Sequence, residues 1–248
     1  MKKVKIVLII SVFVVYSFLS NASAQTGIDI ETGLVFTGYN DVRIPGNTGT
    51  FFSLSDDLSA KEKIFYRIRI NHSFGNRHDI SVLYAPLTIV SSGIFTDNVI
   101  FEGVLFQSGR DVEADYKFNS YRLTYRYDII KRDKLEFGIG FTAKIRDAKI
   151  ALRSGGIESI KTNVGFVPIL NFRLLWNVKD NLGVLLYGDA LAAPQGRAED
   201  VLLALQYKVN EKVTLKGGYR ILEGGADNDE VYSFALFNYA VLGVTFKL

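Results

Sequence analysis

Alternation with a period of two residues runs through nearly the whole chain and limits the folds that it can adopt. In the stretch YRLTYRYD, Tyr121 to Asp128, Arg122, Thr124 and Arg126 alternate with apolar and aromatic side chains. Successive side chains of a β-strand point to opposite faces, so one face of this strand is charged and the other is apolar. The pattern indicates an all-β fold and leaves open which face meets water.

The first 24 residues predict a cleaved export signal. Lysines at positions 2, 3 and 5 precede an apolar run over residues 6–19, and the sequence ASA at 22–24 supplies a cleavage site. A retained transmembrane helix is the alternative, but the run is shorter than the roughly 20 residues that such a helix needs. We therefore expect a signal peptide over residues 1–24 and a single domain over residues 25–248.

Charge and cysteine content exclude several classes of function once this signal is removed. Residues 1–24 contain three lysines and no acidic residue, so 26 basic residues remain against 26 acidic ones. The formal charge falls from +3 to zero, which removes the support for nucleic-acid binding or attachment to an anionic membrane surface. The chain has no cysteine, so no disulfide stabilises the exported protein.

The alternating segments predict an antiparallel up-and-down transmembrane β-barrel. After residue 24 no apolar run reaches the length of a spanning helix, so the chain can cross a membrane only as a closed barrel. Ten strands are predicted, with eight as the main alternative, near residues 27–43, 62–74, 78–91, 113–130, 134–152, 163–178, 182–192, 197–209, 212–223 and 230–248. A soluble secreted β-protein would have the same periodicity with its faces exchanged.

The lengths of the connections favour the membrane barrel. Short turns are predicted at 75–78, 131–133, 179–181 and 210–211, and longer links at 44–61, 92–112, 153–162, 193–196 and 224–229. Outer-membrane barrels have short periplasmic turns and longer external loops. The link 92–112 contains its own alternating stretch, NVIFEGVLFQ, which predicts an external β-extension or a further strand pair.

Two observations on side chains assign the charged face to the barrel interior. In KLEFGIGFTAKIR, residues 134–146, Gly138 and Gly140 share the charged face, where they would leave room for long side chains from across the lumen. An Arg or Lys on the lipid face would cost about 2–4 kcal/mol at the midplane. The charged residues predicted to face the lumen are Glu31, Arg67, Arg69, Arg122, Arg126, Glu136, Lys144, Arg146, Arg173, Asp189, Lys216 and Arg220.

Aromatic residues close to the short turns indicate where the membrane ends. On the apolar face, rings near these turns predict an interfacial aromatic girdle. Its members are Tyr127, Phe137, Trp176 and Tyr207.

The last strand, YAVLGVTFKL, resembles the closing strand of the outer-membrane β-barrel superfamily, and specifically of small barrels of the OmpA/OmpX type. That resemblance implies a Gram-negative outer-membrane protein whose partners are outer-membrane lipid and the barrel-assembly machinery, which reads the final strand. Family members usually end in an aromatic residue, whereas this chain ends in Leu248 with Phe246 two positions before it. No nucleic-acid partner is expected, and the sequence identifies no partner for the external loops.

These patterns predict an outer-membrane barrel that has a structural role or binds a partner. The resemblance implies an ion-paired plug in the lumen. The excess of basic residues over acids among the predicted lumen side chains favours, as the alternative, a narrow, anion-preferring pore for small solutes.

An outer-membrane enzyme acting on lipid A or on peptides is the third interpretation. The two histidines, His72 and His78, both flank the first short turn, far from the external end where such enzymes generally place a histidine. The acidic loop EGGADNDE, residues 223–230, offers oxygen atoms that Ca²⁺ accepts, but its spacing differs from an EF-hand loop. We predict no catalytic residue, no cofactor and no metal site.

Overall fold

The structure, a computed structural model, describes residues 25–193 and 196–248. The predicted signal peptide lies outside the described residues, so its existence stays a prediction. Within the described ranges, no helix is long and apolar enough to cross a membrane.

The described residues form an all-β structure. Its strands are β1 (Gln25–Arg43), β2 (Phe52–Ser53), β3 (Ser59–Ala60), β4 (Lys63–Phe74), β5 (His78–Ala85), β6 (Thr88–Ile94), β7 (Val99–Phe101), β8 (Val104–Phe106), β9 (Asp111–Arg132), β10 (Leu135–Ser154), β11 (Ile157–Lys179), β12 (Leu182–Ala193), β13 (Gly196–Lys208), β14 (Val213–Asp227) and β15 (Tyr232–Lys247).

Ten of these strands close into an antiparallel barrel, which confirms the predicted fold and strand number. The first strand, β1, pairs with β4 on one side and with the last strand, β15, on the other. From β4 the ring continues through β5, β9, β10, β11, β12, β13 and β14 back to β15. The short strand β6 prolongs β5 along β9 after an interruption at Pro86 and Leu87.

The two faces of the barrel wall differ as the alternation requires. Arg122 and Arg126 lie on the inner face and are 3% and 7% exposed, whereas Tyr125 and Tyr127 lie on the outer face. Large apolar side chains such as Phe141 and Leu242 are also exposed on the outside. A surface of this kind is stable in lipid, because the outward apolar band of a membrane barrel replaces the polar surface of a soluble protein.

The two ends of the barrel are built differently. At the short-turn end lie the start of β1, the end of β15 and the turns at 75–77, 133–134, 180–181 and 209–212. At the opposite end, which we call the loop end, β9, β10 and β11 extend as a long sheet, with β6 paired to β9 as its fourth strand. The predicted long link at 153–162 is wrong, because β10 and β11 continue to a two-residue turn at Gly155 and Gly156. Both glycines have positive φ, at 56° and 83°, as such a hairpin turn requires.

Two further segments at the loop end form a compact cap, which we define as residues 44–61 and 95–110. It contains β2, β3 and the hairpin β7–β8, so the alternating stretch in the predicted 92–112 link forms a separate hairpin. Backbone hydrogen bonds tie its two parts together: Glu102 N donates to Ile44 O at 2.9 Å, and Thr50 N to Ile100 O at 3.0 Å. Phenylalanines 52, 95, 101 and 106 form its buried interior.

The glycines on the charged face have a different role from the predicted one. A Cβ on Gly138 would contact Arg126 and Asp128, which belong to the adjacent strand β9 rather than to the far side of the lumen. A Cβ on Gly140 would collide with the carbonyl oxygen of Tyr125, which is also on β9. These glycines therefore allow close contact between neighbouring strands.

The contrast between Gly140 and Gly217 gives a test of this packing. We expect Gly140→Ala to destabilise the barrel by about 1–3 kcal/mol, because a backbone oxygen cannot move aside as a side chain can. Gly217→Ala is the matched control, since its nearest neighbour would lie at 3.6 Å. The measurement is the temperature at which the folded band disappears on SDS gels. Equal temperatures for the two variants would contradict this role of Gly140.

Candidate functional site

Charged side chains from most of the barrel strands meet in the middle of the lumen. We call this group the ion cluster. Its members are Asp29, Glu31, Arg67, Arg122, Asp189, Asp200, Lys216 and Arg220. Alternation along each strand directs these side chains inward, and closure of the barrel brings distant strands to within ion-pair distance.

Asp200 of β13 is bound by three arginines. Its Oδ2 accepts from Arg67 Nη2 at 2.9 Å and lies 2.6 Å from Arg122 Nη2, and Arg220 Nη1 donates to its Oδ1. The side chain is 3% exposed. In the ring of ten strands, β4 and β9 both lie four strands from β13. Asp200 therefore connects opposite walls of the barrel.

Glu31 of β1 is the second centre of the cluster. Its carboxylate accepts from Lys216 Nζ at 2.6 Å and from Arg220 Nη2 at 2.8 Å, and Arg67 Nε lies 3.4 Å away. Lys216 also donates to Asp29 at 2.7 Å. Because Arg67 and Arg220 bind both Glu31 and Asp200, the two carboxylates belong to a single network.

Asp189 of β12 joins the network through polar side chains as well as a charge. Its Oδ2 accepts from Arg122 Nη1 at 2.6 Å. Its Oδ1 accepts from Thr142 Oγ1 at 2.6 Å and from Asn171 Nδ2 at 2.8 Å. A buried carboxylate with several donors is stabilised in its charged form.

A polar cavity of about 470 Å³ lies between the ion cluster and the short-turn end. On its wall Arg126 pairs with Asp79 and Asp128, at 3.4 and 3.3 Å. Arg173 and Glu136 form a half-buried pair at 2.6 Å.

Arg69 also lines this cavity, but its contacts are with neutral groups. Its guanidinium lies 4.8 Å from the centre of the Tyr187 ring, and its Nη1 donates to Ser81 Oγ at 2.9 Å. The cavity wall therefore holds arginines in ion pairs and one arginine held by an aromatic ring.

On the loop-end side the cluster is covered by an apolar layer. Phe65 and Tyr239 of the inner wall pack edge to face with ring centres 4.8 Å apart. The same buried apolar cluster continues through Leu222 and Phe237 into Phe52 of the cap. Between the charged and apolar layers lies a cavity of about 10 Å³, about the space of one water molecule.

Two other predicted lumen residues, Lys144 and Arg146, lie farther along β10 toward the loop end, with Lys144 directly opposite Arg122 of β9. Lys144 is 3% exposed and places its Nζ 4.8 Å from the centre of the Phe118 ring. Arg146 lies nearer the loop end, where its Nη2 donates to Asn163 Oδ1 at 2.5 Å. Within residues 25–193 and 196–248, neither forms a salt bridge.

The aromatic residues predicted as a girdle lie near the short-turn end. Tyr127, Trp176 and Tyr207 are exposed on the outer face, and Phe137 is partly buried beside a β-bulge. The two histidines are at the same end: His72 Nδ1 lies 3.0 Å from Thr26 Oγ1, and His78 Nδ1 lies 2.8 Å from Tyr125 Oη.

Several carboxylates of the lumen were not singled out from the sequence. They are Asp29, Asp79, Asp128 and Asp200. A signal for Asp200 existed, because it shares the inward parity of Gln206 and Lys208 on the same strand. With these residues included, acids nearly balance bases inside the barrel.

Comparison with known proteins supports the fold. No family model and no curated protein matches the chain. Among solved structures, the outer membrane protease OmpT from Escherichia coli aligns with 92% of this chain and 99% of its own, at 11% identity and a TM-score of 0.51. At such low identity the likeness shows the barrel fold alone.

Two further structures align over most of their length but with lower similarity. Ail, the attachment invasion locus protein of Yersinia pestis, covers 90% of this chain and 99% of its own, at 11% identity and a TM-score of 0.42. Neisserial surface protein A covers 89% and 97%, at 14% identity and a TM-score of 0.35.

Substitution of Asp200 tests the network. We expect Asp200→Asn to destabilise the barrel by about 3–5 kcal/mol, because three buried arginines lose a shared negative charge. Glu211→Gln makes the same chemical change in an exposed pair with Lys208 and should leave stability unchanged. Urea unfolding in detergent micelles measures both. A similar midpoint for Asp200→Asn and wild type would show that the cluster contributes little to stability.

Proposed function

We propose that this outer-membrane β-barrel is a closed barrel of structural or interaction type, through which no solute passes. The observation that carries the proposal is the ion cluster, in which side chains from opposite walls bind one another in the middle of the lumen. The short-turn end is then periplasmic and the loop end external, as in other outer-membrane barrels.

The position of Asp200 supports closure of the lumen. Its contacts with Arg67 and Arg122 run between strands four positions apart in a ring of ten, so they lie across the channel axis. An ion moving along this axis would have to displace charge-assisted hydrogen bonds that are buried from water. Removing one partner of such a pair leaves an uncompensated charge, which costs several kcal/mol.

The apolar layer supports closure independently. Beyond the ion cluster, a solute would meet Phe65, Tyr239 and the buried phenylalanines of the cap. The small cavity at this boundary, about 10 Å³, has no room for a hydrated ion. On the periplasmic side, by contrast, lies the polar cavity of about 470 Å³.

The charge balance of the cluster weakens the anion-pore alternative. Arg67, Arg122, Lys216 and Arg220 are matched by Asp29, Glu31, Asp189 and Asp200. A selectivity filter for anions needs basic groups that remain available to the ion. In the cluster the carboxylates already occupy those groups.

The proposal includes the partners expected from the sequence. The exposed apolar outer face contacts outer-membrane lipid, and the assembly machinery reads the last strand, β15. With the lumen closed, the cap and the protruding β9–β11 sheet are the parts that meet external partners.

No catalytic role is part of the proposal, although the structurally similar OmpT is a protease. Both histidines lie on the outer face at the periplasmic end, each hydrogen-bonded to a hydroxyl group. We expect cells with and without the gene to contain the same lipid A species by mass spectrometry, and purified protein to leave a peptide library uncut. A modified lipid A or a cleaved peptide would establish the enzyme alternative.

Conductance in planar bilayers tests closure. We expect no reproducible current steps from folded wild-type protein, because charged and apolar layers both block the axis. The charge-balanced variant Arg67→Ser/Asp200→Ser removes one connection across the lumen but leaves the apolar layer in place, so it should also give no steps. A boiling-dependent shift on SDS gels confirms that each sample is folded.

Two results would contradict the closed barrel. One is steady conductance of the wild type, and the other is anion preference that falls in Arg122→Ala. Either result would establish the pore alternative.

A further inference from the structure

We infer that the unpaired edge of β11, from Glu158 to Pro168, docks an extended segment of another polypeptide, which adds a strand to the β9–β11 sheet. The inference rests on the interaction role proposed above, and it does not depend on closure of the lumen. β11 pairs with β10 from Ile157 to Trp176, but with β12 only from Leu170 to Lys179.

The edge exists because the neighbouring hairpin is short. β12 ends at Ala193, and its hairpin partner β13 begins at Gly196. In the part of the chain that the structure describes, no strand continues along β11 beyond this hairpin. Roughly half of β11 therefore has one side without a strand partner.

The register identifies which backbone groups face that side. Asn177 N donates to Lys134 O at 3.0 Å, so odd-numbered residues of β11 point their backbone groups toward β10. The backbone groups of Glu158, Ile160, Thr162, Val164 and Phe166 consequently face the open edge. Pro168, which lacks an N–H, lies at the lower end, as is usual for proline on an edge strand.

The lower part of this edge reaches the apolar band of the barrel, where unpaired backbone N–H and C=O groups are energetically unfavourable. Outward apolar side chains on β11 run from Trp176 to Val164, which at about 3.4 Å per residue and a tilt of about 40° spans about 30 Å. Val164 and Phe166 are 71% and 67% exposed, at the outer boundary of this apolar band. Open sheet edges are not tolerated in hydrocarbon, so a second strand is the natural partner here.

Arg146 indicates the chemistry of that strand. Its Nη2 lies 3.2 Å from the position of a Cβ on Gly165, so the guanidinium crosses β11 on its inner face toward the open edge. Its contact there is the neutral Asn163, and its buried Nε has no hydrogen-bond partner among the described residues. An acidic side chain on an added strand would complete this site.

The side chains on the outer face of the edge favour apolar residues at every second position of the added strand. Ile160, Val164 and Phe166 present apolar side chains on that face. Because side chains alternate along a strand, the segment that fits has acidic residues on one parity and apolar residues on the other. A lipid phosphate could neutralise Arg146, but it would not supply the row of hydrogen bonds that a backbone supplies.

The test uses the full barrel, labelled with ¹⁵N in detergent micelles, and a synthetic nine-residue peptide that alternates Val with Glu. We expect the peptide to slow exchange of the amides of Ile160, Thr162 and Val164 by about tenfold or more, because they become hydrogen-bonded. Amides of odd-numbered residues, already bonded to β10, should not change. A peptide that alternates Val with Lys should give much weaker protection.

Three variants sharpen the result. Arg146→Gln should weaken peptide binding about tenfold. Lys149→Gln removes the same charge from the opposite face of β10 and should have no effect. Val164→Pro removes one edge N–H, as Pro168 does naturally, and should also weaken binding. The boiling-dependent gel shift shows whether each variant is folded.

Other occupants of the edge would give different results, and each would overturn the inference. Protection of the even-numbered amides without peptide, increasing with protein concentration, would identify a second copy of the chain. Protection by lipopolysaccharide alone, lost in Arg146→Gln, would identify a lipid. Absence of protection by the peptide in folded protein would exclude docking of a strand.

The same samples separate this inference from the closed lumen. A barrel that conducts and still binds the peptide would contradict closure alone. A barrel that does not conduct and does not bind the peptide would contradict docking alone.

Discussion

Charges inside a narrow barrel have to neutralise one another, because the surrounding wall and the apolar layer on the loop-end side leave them little access to bulk water. The contacts of Asp200 show how this is achieved: three arginines from three strands share one carboxylate. Such an arrangement forms only when the barrel is closed in a single register, since a slip of one residue would turn the inner side chains to lipid. The ion cluster therefore makes closure of the lumen depend on correct strand pairing around the whole ring.

The same constraint explains the division of the interior into layers. Paired charges occupy the middle, a polar cavity lies toward the short turns, and phenylalanines of the wall and cap lie toward the loops. Burial of the apolar layer stabilises the cap, and the cap in turn keeps water from the cluster. Glu102 and Ile44 join the two parts of the cap through their backbones, so two distant loops act as one unit. Ion pairs thus stabilise the middle of the lumen, and apolar packing with the cap stabilises its loop-end side.

Unequal strand lengths give the loop end its features. In β9, β10 and β11 the alternation continues far past the level at which the β12–β13 hairpin ends, and the sheet protrudes with one open edge. On the β9 and β10 part of this sheet the outer face carries ion pairs such as Lys117 with Asp147, suited to water. On β11 the outer face is apolar up to Val164. That difference, together with Arg146 on the inner side, is why a strand is the partner that we propose for this edge.

Period-two alternation by itself determined much of this protein: the all-β class, ten barrel strands, and the parity that separates Arg122 from Tyr125. These are local properties, because each strand repeats its pattern within a few residues. The sequence also suggested long links where β10 and β11 simply continue, since strand ends depend on partners. Only the tertiary structure decided that Asp200 meets Arg67 and Arg122, and that Arg146 has no carboxylate among the described residues. Those contacts join residues far apart in the chain, and the distance between them is set by closure of the ring and by the register of every strand between them.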